Sequence, residues 1–368
     1  MPIEPGIRVR DLSTPAVVID LDVMERNLTR IANYCATHGI ELRPHTKTHK
    51  TIEAAQRQLE LGAIGLTVAK VGEAEVMSAT GTREILVAHP IIGDEKLRRL
   101  AALTSKTDII VAADSFTTGQ SLSRIAVETN CEFGVVIEFD SGSQRCGVAP
   151  GVEAAELGKQ IAGLPNLKLR GLFTYFGSVW GTPAERAAEI ERLKADVSTT
   201  IEAFRAAGLS TEIVSAGSTP AAELSHLVPG ITEIRPGTYI YNDLNTHYQG
   251  LCSLDDCAVS VLTTVVSTAV PGHVIVDAGS KTLSSDLLSA GPKRGYGYVR
   301  EVDATLTKLN EEHGFLSAPN LSQFSVGQVL SVIPNHVCTC INMHDEVFLA
   351  REGKIVGSWN VAARGKVR

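Results

Sequence analysis

Between residue 22 and about residue 245 the chain alternates amphipathic helical stretches with short runs rich in Val and Ile. That alternation constrains the fold more than any other feature, because repeated strand–helix units bury their apolar faces by building a parallel sheet. Eight runs are legible, at 40–44, 63–69, 84–89, 108–113, 133–139, 167–174, 212–216 and 232–235. Helical patterns separate them, among them 22–38, 51–61, 72–80, 152–162 and 184–207. Eight strands with helical crossovers over this length match a (β/α)8 TIM-type barrel. A doubly wound open sheet is the alternative on pattern alone.

Past about residue 245 the helical periodicity fades. β-Branched runs at 258–270, 273–277, 326–333 and 346–350, with turn signals between them, predict a C-terminal, mainly β domain. The run 16–20 follows a Pro and fits either domain; we assign it to the β-domain. The expected organisation is a barrel over 20–245 and a β-domain over 246–368 joined by the strand within 1–19. A chain of 368 residues is long enough for two cores. Its 20% charged and 44% apolar content is that of a soluble globular protein. A net charge of −7 argues against a nucleic-acid surface. No apolar run reaches the roughly 18 residues a bilayer requires, and Met1-Pro2-Ile3-Glu4-Pro5 lacks the pattern of a secretory leader. A cytoplasmic protein with neither membrane nor nucleic-acid partner is expected. The seven cysteines, at 35, 131, 146, 252, 257, 338 and 340, form no even framework. Cys35, Cys131, Cys252 and Cys257 read as ordinary core or surface residues.

A barrel places its reactive groups at the C-terminal ends of its strands. After the first strand come Arg43-Pro44-His45-Thr46-Lys47-Thr48-His49-Lys50, two lysines and two histidines in eight residues. An arbitrary basic octamer is usually a solvated loop. Here Pro44 keeps the residue before it extended, and a lysine at a strand end can be desolvated and lose its proton, as Schiff-base chemistry requires. The fifth strand runs into Asp140-Ser141-Gly142-Ser143-Gln144-Arg145-Cys146-Gly147, and the sixth into Tyr175-Phe176-Gly177-Ser178. The seventh ends in Ser215-Ala216-Gly217-Ser218-Thr219-Pro220 and the eighth in Arg235-Pro236-Gly237-Thr238-Tyr239. Small glycine- and hydroxyl-bearing loops after strands seven and eight are where barrel enzymes hold phosphate. Each loop alone is weak evidence; a lysine at strand one combined with both is a much narrower constellation. In the β-domain, Pro334-Asn335-His336-Val337-Cys338-Thr339-Cys340 follows an apolar run. Extended geometry puts His336 and Cys338 on one face, and likewise Cys338 and Cys340. An isolated His-x-Cys is more often a buried cysteine beside a hydrogen-bonded histidine, but imidazole plus thiolate also suits zinc.

These residues together resemble the fold-type III pyridoxal-phosphate enzymes of the D-threonine aldolase and eukaryotic-type D-serine dehydratase family, distant relatives of alanine racemase. The resemblance covers nearly the whole chain. It implies that Lys47 carries the pyridoxal 5'-phosphate, with His45 beside it, and that Arg145 and Tyr175 lie near the ring. It also implies that Ser215, Gly217, Ser218 and Thr219, with Gly237, Thr238 and Tyr239, hold the phosphate. His336 and Cys338 fall on the family's metal site, for a divalent ion expected to be zinc, with manganese and magnesium as alternatives. Asp277-Ala278-Gly279 and Glu312-His313-Gly314 resemble pieces of its β-domain.

Two departures bear on the reaction. Aldolases of the family carry His-x-Asp at the metal site and dehydratases His-x-Cys, and this chain has Cys338. The aldolase-like Tyr-His-Gly-Ser-x-x-His reads here as Tyr175-Phe176-Gly177-Ser178-Val179-Trp180-Gly181, without either histidine. Retro-aldol cleavage needs a base for the β-hydroxyl proton, so this loss favours elimination. The expected activity is that of a dehydratase acting on a D-configured β-hydroxy-α-amino acid, of the D-serine or D-threo-3-hydroxyaspartate type, in a homodimer. D-threonine aldolase is the competing enzyme; a racemase and a non-catalytic pyridoxal-phosphate carrier rank below both.

Overall fold

The computed structural model describes residues 6–288 and 295–368, so the opening Met1–Pro5 stretch read above lies outside it. The chain forms two compact units. One comprises Met1–Thr29, Thr48–Thr51 and Thr238–Gly365; the other comprises Arg30–Lys47, Ile52–Gly237 and Lys366–Arg368. Strand β1 (Ala16–Asp20) leads directly into helix α1 (Leu21–His38).

The second unit is a parallel sheet of eight strands: β2 (Glu41–Leu42), β3 (Leu66–Val68), β4 (Glu84–Val87), β5 (Asp108–Ala113), β6 (Phe133–Glu138), β7 (Leu167–Phe173), β8 (Ile213–Ala216) and β9 (Glu233–Ile234). The crossover helices are α2 (Ile52–Glu60), α3 (Val71–Met77), α4 (Asp94–Leu103), α5 (Phe116–Thr129), α6 (Val152–Ala162) and α7 (Pro183–Ala206). Strand β5 shows why these runs become strands: its Ile-Ile-Val-Ala-Ala stretch is buried throughout, as a strand covered on both faces must be. The helices begin where capping chemistry dictates. Thr182 and Glu185 form a reciprocal capping box ahead of Pro183 at α7, and Ser115 accepts from the Thr118 N–H at α5.

The sheet closes on itself. β2 pairs with β9 on one side; on the other, His45 bridges Thr67, Thr67 N–H donates to Pro44 O at 2.9 Å, and Ile64 N–H donates to Leu42 O at 2.9 Å. Inside the closure, the buried Arg43 guanidinium contacts Glu233 of β9 at 2.9 Å and Glu84 of β4 at 2.8 Å, linking strands on both sides of the seam. The observed fold is therefore the (β/α)8 barrel and not the open sheet. It departs from the regular form at one place. Between β8 and β9 the chain makes only a 3-10 helix, Ala222–Leu227, in place of a crossover α-helix.

The first unit continues after α8 (Leu244–Tyr248) with β10 (Val259–Ser267), β11 (Val274–Val276), α9 (Ser280–Leu283), β12 (Gly297–Val299), β13 (Ala304–Leu309), β14 (Gly314–Ser317), β15 (Val329–Pro334), α10 (Val337–Ile341), β16 (Glu346–Arg351) and β17 (Lys354–Asn360). The strand order is β11-β14-β13-β12-β15-β10-β1-β16-β17, and a further β10–β11 pairing closes the first six into an antiparallel barrel. β1 pairs antiparallel with β10 and parallel with β16. Asp277, in one of the motif pieces noted above, ties this barrel together by accepting from Thr14 Oγ1 at 2.6 Å, Thr263 Oγ1 at 2.7 Å and Thr264 N–H at 2.8 Å. A Cβ at Gly279 would lie 2.3 Å from Glu311 O, so that glycine is a packing requirement and not a chemical one.

Candidate active site

In the barrel unit, Lys47 stands just past the end of β2. Its backbone N–H donates to Nδ1 of the buried His45 at 3.3 Å, and Thr46 Oγ1 donates to Thr67 O at 3.2 Å, so the turn that presents the lysine is pinned on both sides. The Lys47 side chain is exposed. The desolvation expected from its strand-end position is thus not found, because the lysine lies beyond the last pairing residue of the strand. Lys50 is the buried one, with Nζ donating to Ala363 O at 3.4 Å within the first unit.

At the end of β6 the Asp140 carboxylate accepts from the N–H groups of Gly142 (3.0 Å), Ser143 (2.8 Å) and Gln144 (3.1 Å), which curls the loop that carries Arg145. Gly147 closes that loop at φ +109°, and a Cβ there would sit 2.4 Å from Asp140 N. The Arg145 guanidinium lies 4.4 Å from the centre of the Tyr175 ring. Phe176 and Val179, in the stretch that lacks the two aldolase-like histidines, are fully buried.

The loops after β8 and β9 lie side by side, since Ala216 pairs with Ile234 and Arg235 N–H donates to Ala216 O at 3.2 Å. Gly217 adopts φ +99°. Among the described residues the N–H groups of Gly217, Ser218, Thr219 and Gly237 donate to no protein acceptor. Unpartnered N–H groups on adjacent turns supply the donors an anionic phosphate needs, so the residues present fit this part of the cofactor. Two expected side chains do not point that way. Ser215 is fully buried between Glu233 Oε1 and Arg235 at 2.5 Å each, and Ser218 donates to Phe176 O at 2.8 Å. Arg235, which sequence reasoning did not single out, is buried against the Phe173 ring at 3.8 Å, and burial lowers it to about 10. Thr238 and Tyr239 belong to the first unit; Tyr239 is buried, and Thr238 Oγ1 lies 3.7 Å from Cys338 Sγ.

Also in the first unit, the extended geometry expected for 336–340 holds only at His336 (φ −134°, ψ 101°), which caps α10. From Val337 the chain is helical, its first N–H bound by the buried Asp243 carboxylate at 3.1 Å. Residues two apart on a helix diverge. Cys340 is accordingly buried, with its thiol 3.4 Å from Thr282 O, while Cys338 Sγ lies 3.1 Å from Thr48 Oγ1. His336 and Cys338 still meet, because His336 is extended and lies outside the helix, so the divergence of helical neighbours does not apply to it. Hydrogen bonding to Cys338, against burial and with help from Asp286, raises the His336 imidazole to about 9. Asp286 Oδ2 holds His336 Nδ1 at 2.7 Å, which leaves Nε2 as the nitrogen available to a metal. Sequence reasoning missed Asp286, which comes from a distant loop without periodicity. Among the described residues no group of three or more His, Cys, Asp or Glu side chains could hold a metal ion. The His336 nitrogen and Cys338 sulfur have the donor chemistry that suits zinc.

A (β/α)8 barrel with a lysine after its first strand, backbone donors for an anion after its last two and a C-terminal antiparallel β-barrel defines the alanine-racemase-like class of pyridoxal-phosphate folds. The model of the alanine racemase N-terminal domain matches residues 19–245, and that of a putative serine dehydratase domain matches residues 258–350. The chain is 36% identical to the D-threo-3-hydroxyaspartate dehydratase of Delftia sp. (strain HT23), over 89% of this chain and 91% of that one. The crystal structure of D-threonine aldolase from Filomicrobium marinum superposes with a TM-score of 0.93 at 31% identity, covering all of both chains. A cysteine-to-alanine mutant of D-threo-3-hydroxyaspartate dehydratase, solved in the metal-free form, superposes with a TM-score of 0.89 at 32% identity, covering 96% of this chain and 98% of that one. The chain belongs to the fold-type III, pyridoxal-phosphate-dependent lyases of the D-threonine aldolase and D-serine dehydratase family.

Proposed function

We propose that this protein is a divalent-metal-assisted dehydratase that converts a D-configured β-hydroxy-α-amino acid to a 2-oxo acid and ammonia. The observation that carries this reading is the meeting of His336 and Cys338 with Asp286 behind the imidazole. A relative solved metal-free as a cysteine mutant supports it. Elimination is favoured over retro-aldol cleavage because Phe176, Val179 and Gly181 offer no base after Tyr175.

Pyridoxal phosphate supplies an electron sink for the negative charge left at Cα when the α proton departs. A divalent ion, zinc on the donor chemistry, supplies a Lewis acid to the β-hydroxyl, an effect worth several kcal/mol. The protein's own groups do the rest. Lys47 Nζ holds the cofactor at rest and takes the α proton in turnover. The N–H groups of Gly217, Ser218, Thr219 and Gly237 anchor the phosphate, and Arg145 and Tyr175 flank the ring. His336 Nε2 and Cys338 Sγ hold the ion, with Asp286 fixing the imidazole. Loss of water across Cα–Cβ gives an enamine, which takes up water and releases ammonia.

The purified protein incubated with D-serine, D-threonine and D-threo-3-hydroxyaspartate should release ammonia and 2-oxo acid in equal amounts. Glycine and aldehyde in place of these products would establish an aldolase.

A further inference from the structure

At the mouth end of β6, Glu138 is 3% exposed, and its Oε2 has no hydrogen-bond partner. A buried carboxyl oxygen without a donor is unfavourable by several kcal/mol if charged, so its retention there calls for a donor in some state of the protein. The groups that face it are Arg145, Asp114, Arg235 and Asp140, with the Cys146 thiol nearby. The two aspartates are already engaged as acceptors, Asp140 by the N–H groups of its own loop and Asp114 by Gly147 N–H at 3.3 Å. Arg235 is already committed to Ser215 and to Thr174 O. Arg145 remains: among the described residues its guanidinium makes no hydrogen bond, only the stack on Tyr175. The loop that carries it closes on Glu138 itself, since Val148 N–H donates to Glu138 O at 3.1 Å and Asp140 N–H donates to Val148 O at 2.9 Å.

We propose that Glu138 is a positioning residue for Arg145: its buried, unpartnered oxygen receives part of the guanidinium and thereby holds the remaining N–H groups at the barrel mouth for an anionic oxygen of the bound cofactor. The proposal rests on membership of the pyridoxal-phosphate family and is independent of the choice between dehydratase and aldolase. Its pH dependence follows from the surroundings. Burial raises Glu138 to about 7, opposed first by Arg145 and then by Arg235, while Asp114 and Asp140 add to the rise. The carboxylate that receives Arg145 therefore exists above about pH 7 in the cofactor-free protein and is lost below it.

The test titrates cofactor-free protein with pyridoxal phosphate by absorbance between pH 6 and pH 9 and, separately, maps labelling of Arg145 by phenylglyoxal with and without cofactor. The wild-type affinity should rise by up to about tenfold from pH 6 to pH 8 relative to Glu138→Gln, a ratio that cancels ionisations of the cofactor itself. Bound cofactor should protect Arg145 in the wild type and several-fold less well in Glu138→Gln at saturating cofactor. Glu138→Asp, which keeps the charge on a shorter arm, should retain the pH step with weaker protection, and it decides the matter if the glutamine variant does not fold. A purely structural Glu138 would lower thermal stability while leaving the pH step and the Arg145 protection as in the wild type, and that result overturns the proposal.

Discussion

The barrel and the β-unit offer their chemistry in opposite ways. At the barrel mouth the donors available to an anion are backbone N–H groups on turns that the strand topology places side by side. In the β-unit two side chains meet because one caps a five-residue helix and the other follows it, with a carboxylate from a remote loop behind them. A site made by topology tolerates many side chains as long as the turns persist. A site made by a local cap depends on each side chain it uses. Substitutions should therefore divide the two regions sharply.

The largest effect is expected where the barrel does depend on a single side chain. Lys47→Ala should abolish covalent retention of the cofactor and lower turnover by several orders of magnitude. Borohydride reduction followed by peptide mapping checks the assignment in the wild type, and label on Lys50 would refute it. The buried contact of Lys50 Nζ with Ala363 O is the structural reason to expect label on Lys47 alone.

Much of the barrel was legible in the sequence because parallel strands buried on both faces read as unbroken apolar runs. The run at 108–113 is β5, and the others contain their strands with one to three residues to spare at an end. Less of the β-unit was legible. Strands β12, β13, β14 and β17 were not read at all, because in Ala304–Leu309 and Lys354–Asn360 threonine, lysine, serine and glycine interrupt the apolar pattern. The site followed the same rule. Loops at strand ends were read from position, and Ser215 in one of them is buried between Glu233 and Arg235. Glu138, Arg235 and Asp286 were missed because nothing in a lone charged residue tells whether its partner lies inside the fold. Glu138 did leave a trace: it is the single acid ending the run Phe-Gly-Val-Val-Ile.

The next effect in size tests the dependence of the β-unit on individual atoms. Cys338→Ala should leave cofactor absorbance intact and reduce turnover of a β-hydroxy D-amino acid by about 10²- to 10⁴-fold, the loss of a Lewis acid worth several kcal/mol. Cys340→Ala, two positions on, should stay largely active, because its thiol points into the core toward Thr282 O. Chelation of the wild type should reproduce the Cys338→Ala phenotype. Equal damage from the two cysteine substitutions would show that the helix, and not the pairing with His336, is what matters.

The smallest effect concerns stability and contrasts a buried ion cluster in the barrel with an exposed pair in the β-unit. Arg43 is 1% exposed and lies between Glu233 and Glu84 across the barrel seam. Removing it leaves the buried Glu233 without a cation and Glu84 with Arg170 alone, so Arg43→Met should cost about 3–5 kcal/mol in urea unfolding at pH 7. In the β-unit, Arg351 meets Asp22 at 3.0 Å with both side chains about half exposed. Arg351→Ala should cost no more than about 1 kcal/mol. The pH dependence should separate the two further. Burial pushes Glu84 up, but Arg43 and Arg170 outweigh it and hold the carboxyl below 4.5. A carboxyl lowered in the folded state contributes stability that is complete above its unfolded value and fades as pH falls through the folded one. The wild type should accordingly lose stability below about pH 4.5, and Arg43→Met should lose less over the same range because Arg170 alone then opposes burial. An acid profile of the variant that runs parallel to the wild type would mean that Glu84 owes its ionisation to Arg170, and that the seam is held by hydrogen bonding of the strands and not by charge.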